Sequence, residues 1–296
     1  MEKQDTGVQI ALHILFIVLS IMFIIPLIML VSASFSVEKQ IMLFGYGVLP
    51  KGFTLDAYKY VLKDATALLD AYKVTIIFSF TTMVLATLLM SMIAYPLTKS
   101  YLRGRGGISF YLFFTMLFSG GMVPIYILIT QYYRLADTIW VYILPALINP
   151  WYVFMLRTFF AGLPDSISEA ATVDGASEYR IFFTIILPLS KPVLATVALF
   201  TLLTKWNSWM ESMLYINKRD DLISLQYLLQ KIMKDLQFLL EAQQGGVSDA
   251  AMDMSKIPGE TARMAMAVLA AGPVLVIFPF FQKYFTRGLT VGGVKG

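Results

Sequence analysis

The chain predicts an all-α membrane protein with six transmembrane helices, and three observations carry that fold class. Of its 296 residues, 58% are hydrophobic and only 14% charged, with a mean hydropathy of +0.71. An ordinary soluble domain carries about a quarter charged residues, so the natural solvent here is a bilayer. Six stretches reach the roughly 20 apolar residues needed to cross about 30 Å of hydrocarbon: 10–34, 74–95, 108–130, 139–160, 193–215 and 264–285. One polar island, 157–191, stands among these runs and is long enough to be a structured loop.

The first run resembles a signal peptide near Val31-Ser32-Ala33. It exceeds the roughly 7 to 15 apolar residues of a signal core and its start is mixed in charge, so a retained helix is expected. His13 inside it reads as a buried or interfacial ring rather than a proton shuttle. The two long outer loops, one before the second run and one after the fifth, are unequal. Before 74–95, Gly45, Gly47, Pro50 and Gly52 precede Thr54-Leu55-Asp56-Ala57-Tyr58, a turn into a short helix. Gly120, Gly121 and Pro124 interrupt the third run, which needs neighbours or a wet cavity to satisfy the freed backbone groups. After the fifth run, leucines at helical spacing over 222–240, interleaved with Gln226, Lys231, Lys234 and Asp235, predict an amphipathic helix outside the membrane.

Six spans put both termini on one side. Lys and Arg divide almost evenly between the two sides, so the short turn with Lys99, Arg103 and Arg105 and the tail with Lys283, Arg287 and Lys295 decide the vote. Both point to the cytoplasm, which also places 157–191 inside the cell.

Several classes of chemistry are excluded. Cysteine is absent, so disulfides, thiol catalysis and cysteine-ligated metals are ruled out. No phosphate-binding G-x-x-x-x-G-K-[ST] occurs, and no paired catalytic groups or metal-ligand spacings lie within the spans. The net charge of +4 is not gathered into a tract that would hold nucleic acid. Catalytic and metal-binding residues are therefore expected to be none.

The polar island has its own internal order. Pro164 suits a helix start, with Asp165 or Ser166 near enough to cap it, and Glu169 lies in the first turn, where a carboxylate complements the helix dipole. Ala170 and Ala171 keep one face low. Gly175 can adopt the angles that end the helix, and Ser177-Glu178-Tyr179-Arg180 can start another toward Pro188.

The spacing Glu169-Ala170-Ala171, three residues, Gly175, nine residues, Ile185-Ile186-Leu187-Pro188 resembles the cytoplasmic loop by which permeases of ATP-binding-cassette importers grip their ATPases. Phe118-Ser119-Gly120-Gly121-Met122-Val123-Pro124, Leu156-Arg157-Thr158-Phe159-Phe160, Trp206-Asn207-Ser208-Trp209 and the ending Gly288 through Gly296 look like the carbohydrate-uptake branch. That branch is similar to the smaller maltose permease subunit and includes importers of alginate or pectin oligomers. The resemblance implies the type I importer fold, with 1–34 as N-terminal segment and first helix, 35–73 as an outer loop, 74–285 as the permease core holding the loop 157–191 and the outer loop 216–262, and 286–296 as a cytoplasmic tail.

It also implies a subunit that is not an enzyme, in the inner membrane with lipid around it. Its expected partners are a second, different permease subunit, two ATPases that bind ATP-Mg, and an external solute-binding protein; no cofactor is expected on this chain. Glu169, Ala170, Ala171, Asp174 and Gly175 are the residues implied to couple to the ATPase, and Gly292, Gly293 and Lys295 of the tail to contact it. The expected cargo is an oligosaccharide; the alternatives are a non-sugar solute carried by the same machinery, or an ATP-independent channel.

The fifth run is the candidate path for that cargo. Lys205 falls just past mid-span on a helix begun at Val193, where a lysine costs roughly 2.5 to 3.5 kcal/mol and must face water or a partner. On one helix Trp206 and Trp209 share a face, as do Asn207 and Glu211. Aromatic faces stack on sugar rings, and Asn, Glu and Lys bond hydroxyls or carboxylates. Lys205, Trp206, Asn207, Trp209 and Glu211, with Gly120 and Gly121, are thus the candidate pathway residues, and Lys205 alone carries the narrower expectation of an acidic, uronate-type sugar. The competing readings are an interfacial tryptophan belt with a snorkelling lysine, or a Lys-Glu bond to the partner subunit.

Overall fold

A computed structural model of the chain describes residues 6–244 and 258–291, and among them every regular element is helical. In chain order these are α1 (Thr6–Ser34), α2 (Glu38–Phe44), α3 (Asp56–Val61), α4 (Ala65–Ala94), α5 (Arg105–Leu117), α6 (Met122–Ile127), α7 (Trp140–Ile143), α8 (Pro150–Ala161), α9 (Asp165–Val173), α10 (Glu178–Ile181), α11 (Leu187–Leu189), α12 (Lys191–Trp206), α13 (Met210–Tyr215), α14 (Leu225–Gln244) and α15 (Gly259–Val291).

Three helical stretches are long and apolar enough to cross a bilayer unbroken: Gly7–Ser34, Asp56–Thr98 and Gly259–Tyr284. Three further candidates are bent pairs, Arg105–Leu117 with Met122–Tyr132 at 113°, Trp140–Ala146 with Pro150–Ala161 at 48°, and Glu178–Leu189 with Lys191–Trp206 at 81°. The third run is therefore broken where its glycines lie, with Gly121 at φ +87°. Continuous helices expected over 139–160 and 193–215 are corrected. Pro150 opens α8, where its missing N–H costs nothing, after Asn149 caps it by accepting from the Trp151 amide at 3.0 Å. The fifth run ends as a helix at Trp206 and resumes at Met210.

The described chain forms two compact units. One comprises 1–65 and 229–273, the other 66–228 and 274–296. In the first, Phe35 packs on Phe53 and Tyr58, and Ser36 bridges to Phe53. Thr54 Oγ1 accepts from the Asp56 amide at the expected turn into α3. Glu38 caps the start of α15, accepting from the amides of Glu260 at 2.8 Å and Thr261 at 2.9 Å and from the Thr261 hydroxyl.

Two hydrophobic clusters stand out among the described residues of the second unit. Met90, Leu97, Val153, Leu156, Phe160, Ile181 and Val197 join α4, α8, α10 and α12. Phe78 stacks on Tyr142 at 4.3 Å in the other, which includes Tyr215 and Ile223. The amphipathic stretch predicted over 222–240 begins three residues later as α14, whose Leu225, Leu229 and Leu236 are buried. Nearly every apolar side chain of α1 is exposed, Phe16, Met22 and Phe23 above 60%, as a lipid-facing helix requires.

Candidate functional site

The polar island forms a helix, turn and helix. α9 runs from Asp165, with Pro164 at its N-cap and no side-chain cap bond, so Asp165 and Ser166 do not cap it as expected. Asp174 N donates to Ala170 O, Gly175 N to Thr172 O and Ala176 N to Ala171 O at 2.9 to 3.0 Å, closing the last turn. Gly175 has φ +79°, a region costly for any residue with a Cβ. Ser177 then caps α10 by accepting from the Arg180 amide. Glu169, Ala170, Asp174 and Gly175 are exposed, whereas Ala171 packs against the core with Ala176. One face of α9 is thus anchored and the other is free.

Glu178, which the sequence reading used only as part of a helix start, is the hub of this region. Its carboxylate accepts from the Tyr95 hydroxyl at 2.8 Å and from the Tyr101 hydroxyl at 2.6 Å. Tyr95 ends the α4 region and is 6% exposed, packed on Phe160 and Phe182, with the Lys99 ammonium 5.0 Å over its ring. Partial burial and the Glu178 carboxylate push the Tyr101 hydroxyl up to about 12, keeping it a donor. No local spacing links positions 95, 101 and 178, so only the fold could bring them together.

The second candidate region lies at the break between α12 and α13. Lys205 is the penultimate residue of a 16-residue helix of about 24 Å rather than a mid-span residue of a longer one. Its ammonium bonds Glu211 Oε1 at 2.8 Å, with side chains 9% and 30% exposed, and the Ser208 hydroxyl bonds the other carboxylate oxygen. The shared faces expected of Trp206 with Trp209 and of Asn207 with Glu211 do not form, because the helix stops between them. Trp206 is buried beside Tyr72, while Trp209 is half-buried. The Asn207 amide folds back to Leu203 O at 2.9 Å. The Lys-Glu bond weighed as an intersubunit contact is made within the chain.

Two cavities flank this break and share Thr204. One of about 500 Å³ is lined by Asn207, Trp209, Glu211 and Tyr215, the other of about 210 Å³ by Asn149, Tyr152 and Lys205. Gly120 and Gly121 line neither; Met122 and Ile125, just beyond them on α6, line the larger. Gly292, Gly293 and Lys295 lie outside the described residues.

The chain is 36% identical over 276 residues to the polygalacturonan/rhamnogalacturonan transport system permease protein YtcP of Bacillus subtilis, covering 92% of this chain and 93% of that one. It belongs to the permeases of sugar ATP-binding-cassette transport systems. A 31% match over 92% of the permease is the arabinooligosaccharides transport system permease protein AraQ of Halalkalibacterium halodurans, of which 91% is covered. Among solved structures, a bacterial transporter involved in import of the acidic polysaccharide alginate superposes on the permease with a TM-score of 0.75 and 27% identity, over 96% of this chain and 99% of that one. No family model matches the permease. It is a multi-pass inner-membrane transport subunit rather than an enzyme.

Proposed function

We propose that this permease forms half of the membrane pathway of an ATP-driven importer for acidic oligosaccharides released from plant or algal polymers. The observation that carries the reading is the whole-length likeness to a polygalacturonan/rhamnogalacturonan permease, joined by the alginate importer among solved structures. A non-sugar cargo and a free channel are not favoured by these relatives. The importer comprises a second, different permease, two ATPases that bind ATP-Mg, and an external binding protein, with no cofactor on this chain. Both termini and α9 face the cytoplasm. There the exposed face of α9, with Glu169, Ala170, Asp174 and Gly175, enters the ATPase, anchored through Ala171, and Gly292, Gly293 and Lys295 of the tail touch it. Sugar passes the α12–α13 break, where Asn207, Trp209 and Glu211 border a cavity. Lys205 borders the smaller cavity beside it, held by Glu211 rather than presented as a free cation, while buried Trp206 and the helix break at Gly120 and Gly121 lie behind the lining.

The test is uptake of an oligogalacturonide and of a neutral maltodextrin by vesicles holding the complete importer. ATP-dependent uptake of the first, at least about tenfold reduced by Glu169→Lys, is expected. Uptake that persists without ATP, or is unchanged by Glu169→Lys, sinks the importer reading, and equal uptake of both sugars sinks the acidic one.

A further inference from the structure

The Glu178 carboxylate joins three pieces of chain that are remote in sequence. Tyr95 closes the α4 region, Tyr101 lies in the connection to α5, and Glu178 opens α10 directly after the α9 turn. Ser168, one residue before Glu169 on α9, lies close to the Tyr95 hydroxyl. A cavity of about 320 Å³ opens beside the clasp, lined by Met92, Leu102, Tyr179 and Phe182 among others, so apolar packing on that side of α10 is incomplete. A π-turn over Phe182–Ile186 follows, then the 81° bend into α12. Helix distortions of that kind concentrate where elements shift.

Hydrogen bonds to a charged acceptor are among the stronger polar contacts, and two of them converge here on one carboxylate. Any displacement of α9 and its turn must therefore either drag the end of α4 and the α4–α5 connection with it or break these bonds. We propose that Glu178 is a positioning residue for transport, clasping Tyr95 and Tyr101 so that movement of α9 is passed to α4 and α5. The proposal rests on the importer reading above. It assigns to Glu178 a mechanical linkage between the loop and the spans and no contact with sugar or nucleotide.

The test uses the complete importer in vesicles and reads oligogalacturonide imported per ATP hydrolysed. Glu178→Ala is expected to lower that ratio at least about fivefold, the lower end of ordinary coupling energies, while hydrolysis continues. The Tyr95→Phe/Tyr101→Phe pair is expected to do the same, and all three changes together no more, because one linkage is removed only once. Glu178→Gln, which keeps an acceptor oxygen, is expected to restore much of the ratio. If Glu178→Ala does not assemble, Tyr101→Phe replaces it, since that ring is 65% exposed and the loss of its hydroxyl leaves the core intact. An unchanged ratio in these variants, or losses that multiply in the combination, overturns the clasp. A wild-type importer without ATP-dependent uptake overturns the importer reading instead.

Discussion

The turn between α9 and α10 and the break between α12 and α13 both join two helices through three or four residues, by opposite means. At the first, Gly175 takes φ +79° and main-chain bonds from Asp174, Gly175 and Ala176 finish the helix, with nothing within 4 Å of where a Cβ would stand. At the second there is no glycine. Asn207 N and Ser208 N still donate back into α12, but the path onward is held by side chains, with Glu211 gathering Lys205 and Ser208. The first turn is set by local backbone freedom and leaves one face of α9 exposed. The second is set by charges that must find each other where water is scarce, so it depends on everything packed around it.

Removing one charge from the second break gives the largest expected effect. Lys205→Ala leaves Glu211 without its cation and is expected to destabilise the permease by about 3 kcal/mol, the low end for a broken buried pair because Glu211 keeps some solvent contact. Thermal unfolding of the solubilised importer measures it, and the double variant Lys205→Met/Glu211→Leu is expected to recover most of the loss. A single variant as stable as wild type would show that the break holds itself, erasing the contrast with the glycine turn.

Next comes the glycine turn. Gly175→Ala adds a Cβ with no neighbour within 4 Å, so its cost is that of the backbone conformation alone, about 1–2 kcal/mol for a side chain in the left-handed region. Hydrogen exchange at the Gly175 and Ala176 amides is expected to rise while exchange in α12 stays as it was. A rise in both would mean that the two turns are one cooperative unit. Ser177→Ala removes a long 3.4 Å cap and is expected to cost about 0.5 kcal/mol, read at the same amides.

The smallest effect belongs to a third connection built like the second but in water. Asp137 Oδ1 accepts from the amides of Asn217 and Lys218 at 2.7 and 2.8 Å, and the Lys218 and Asn217 bonds hold its carboxyl below the usual carboxylate range. A depressed folded-state value contributes stability above the unfolded value near 3.8 and loses it as pH falls through the folded one. Protection of the Asn217 and Lys218 amides is thus expected to be constant above about pH 4 and to fall only in stronger acid. Loss of protection nearer pH 6 would mean that another group holds this loop.

Legibility followed the same division. α9, the Gly175 turn and the Ser177 cap were readable because each is decided within four or five residues of itself. So were the glycine interruption before α6 and the turn at Thr54. The bend at Pro150 carried a local signal in Asn149-Pro150, but the apolar run around it masked the break. The end of α12 at Trp206 carried none, since Lys205-Trp206-Asn207-Ser208-Trp209 contains no glycine or proline and helical spacing continues through it.

The sequence by itself determined that this protein is apolar enough to live in a bilayer, holds no thiol and carries a small-residue helix ended at a glycine, because hydropathy, residue inventory and local backbone preference are properties of short stretches. Tertiary structure alone decided that Lys205 answers Glu211 rather than facing the path as a free cation, and that Glu178 meets Tyr95 and Tyr101. Both outcomes depend on desolvation and on distances between residues remote in the chain or carried across a helix break, and neither exists until the helices pack.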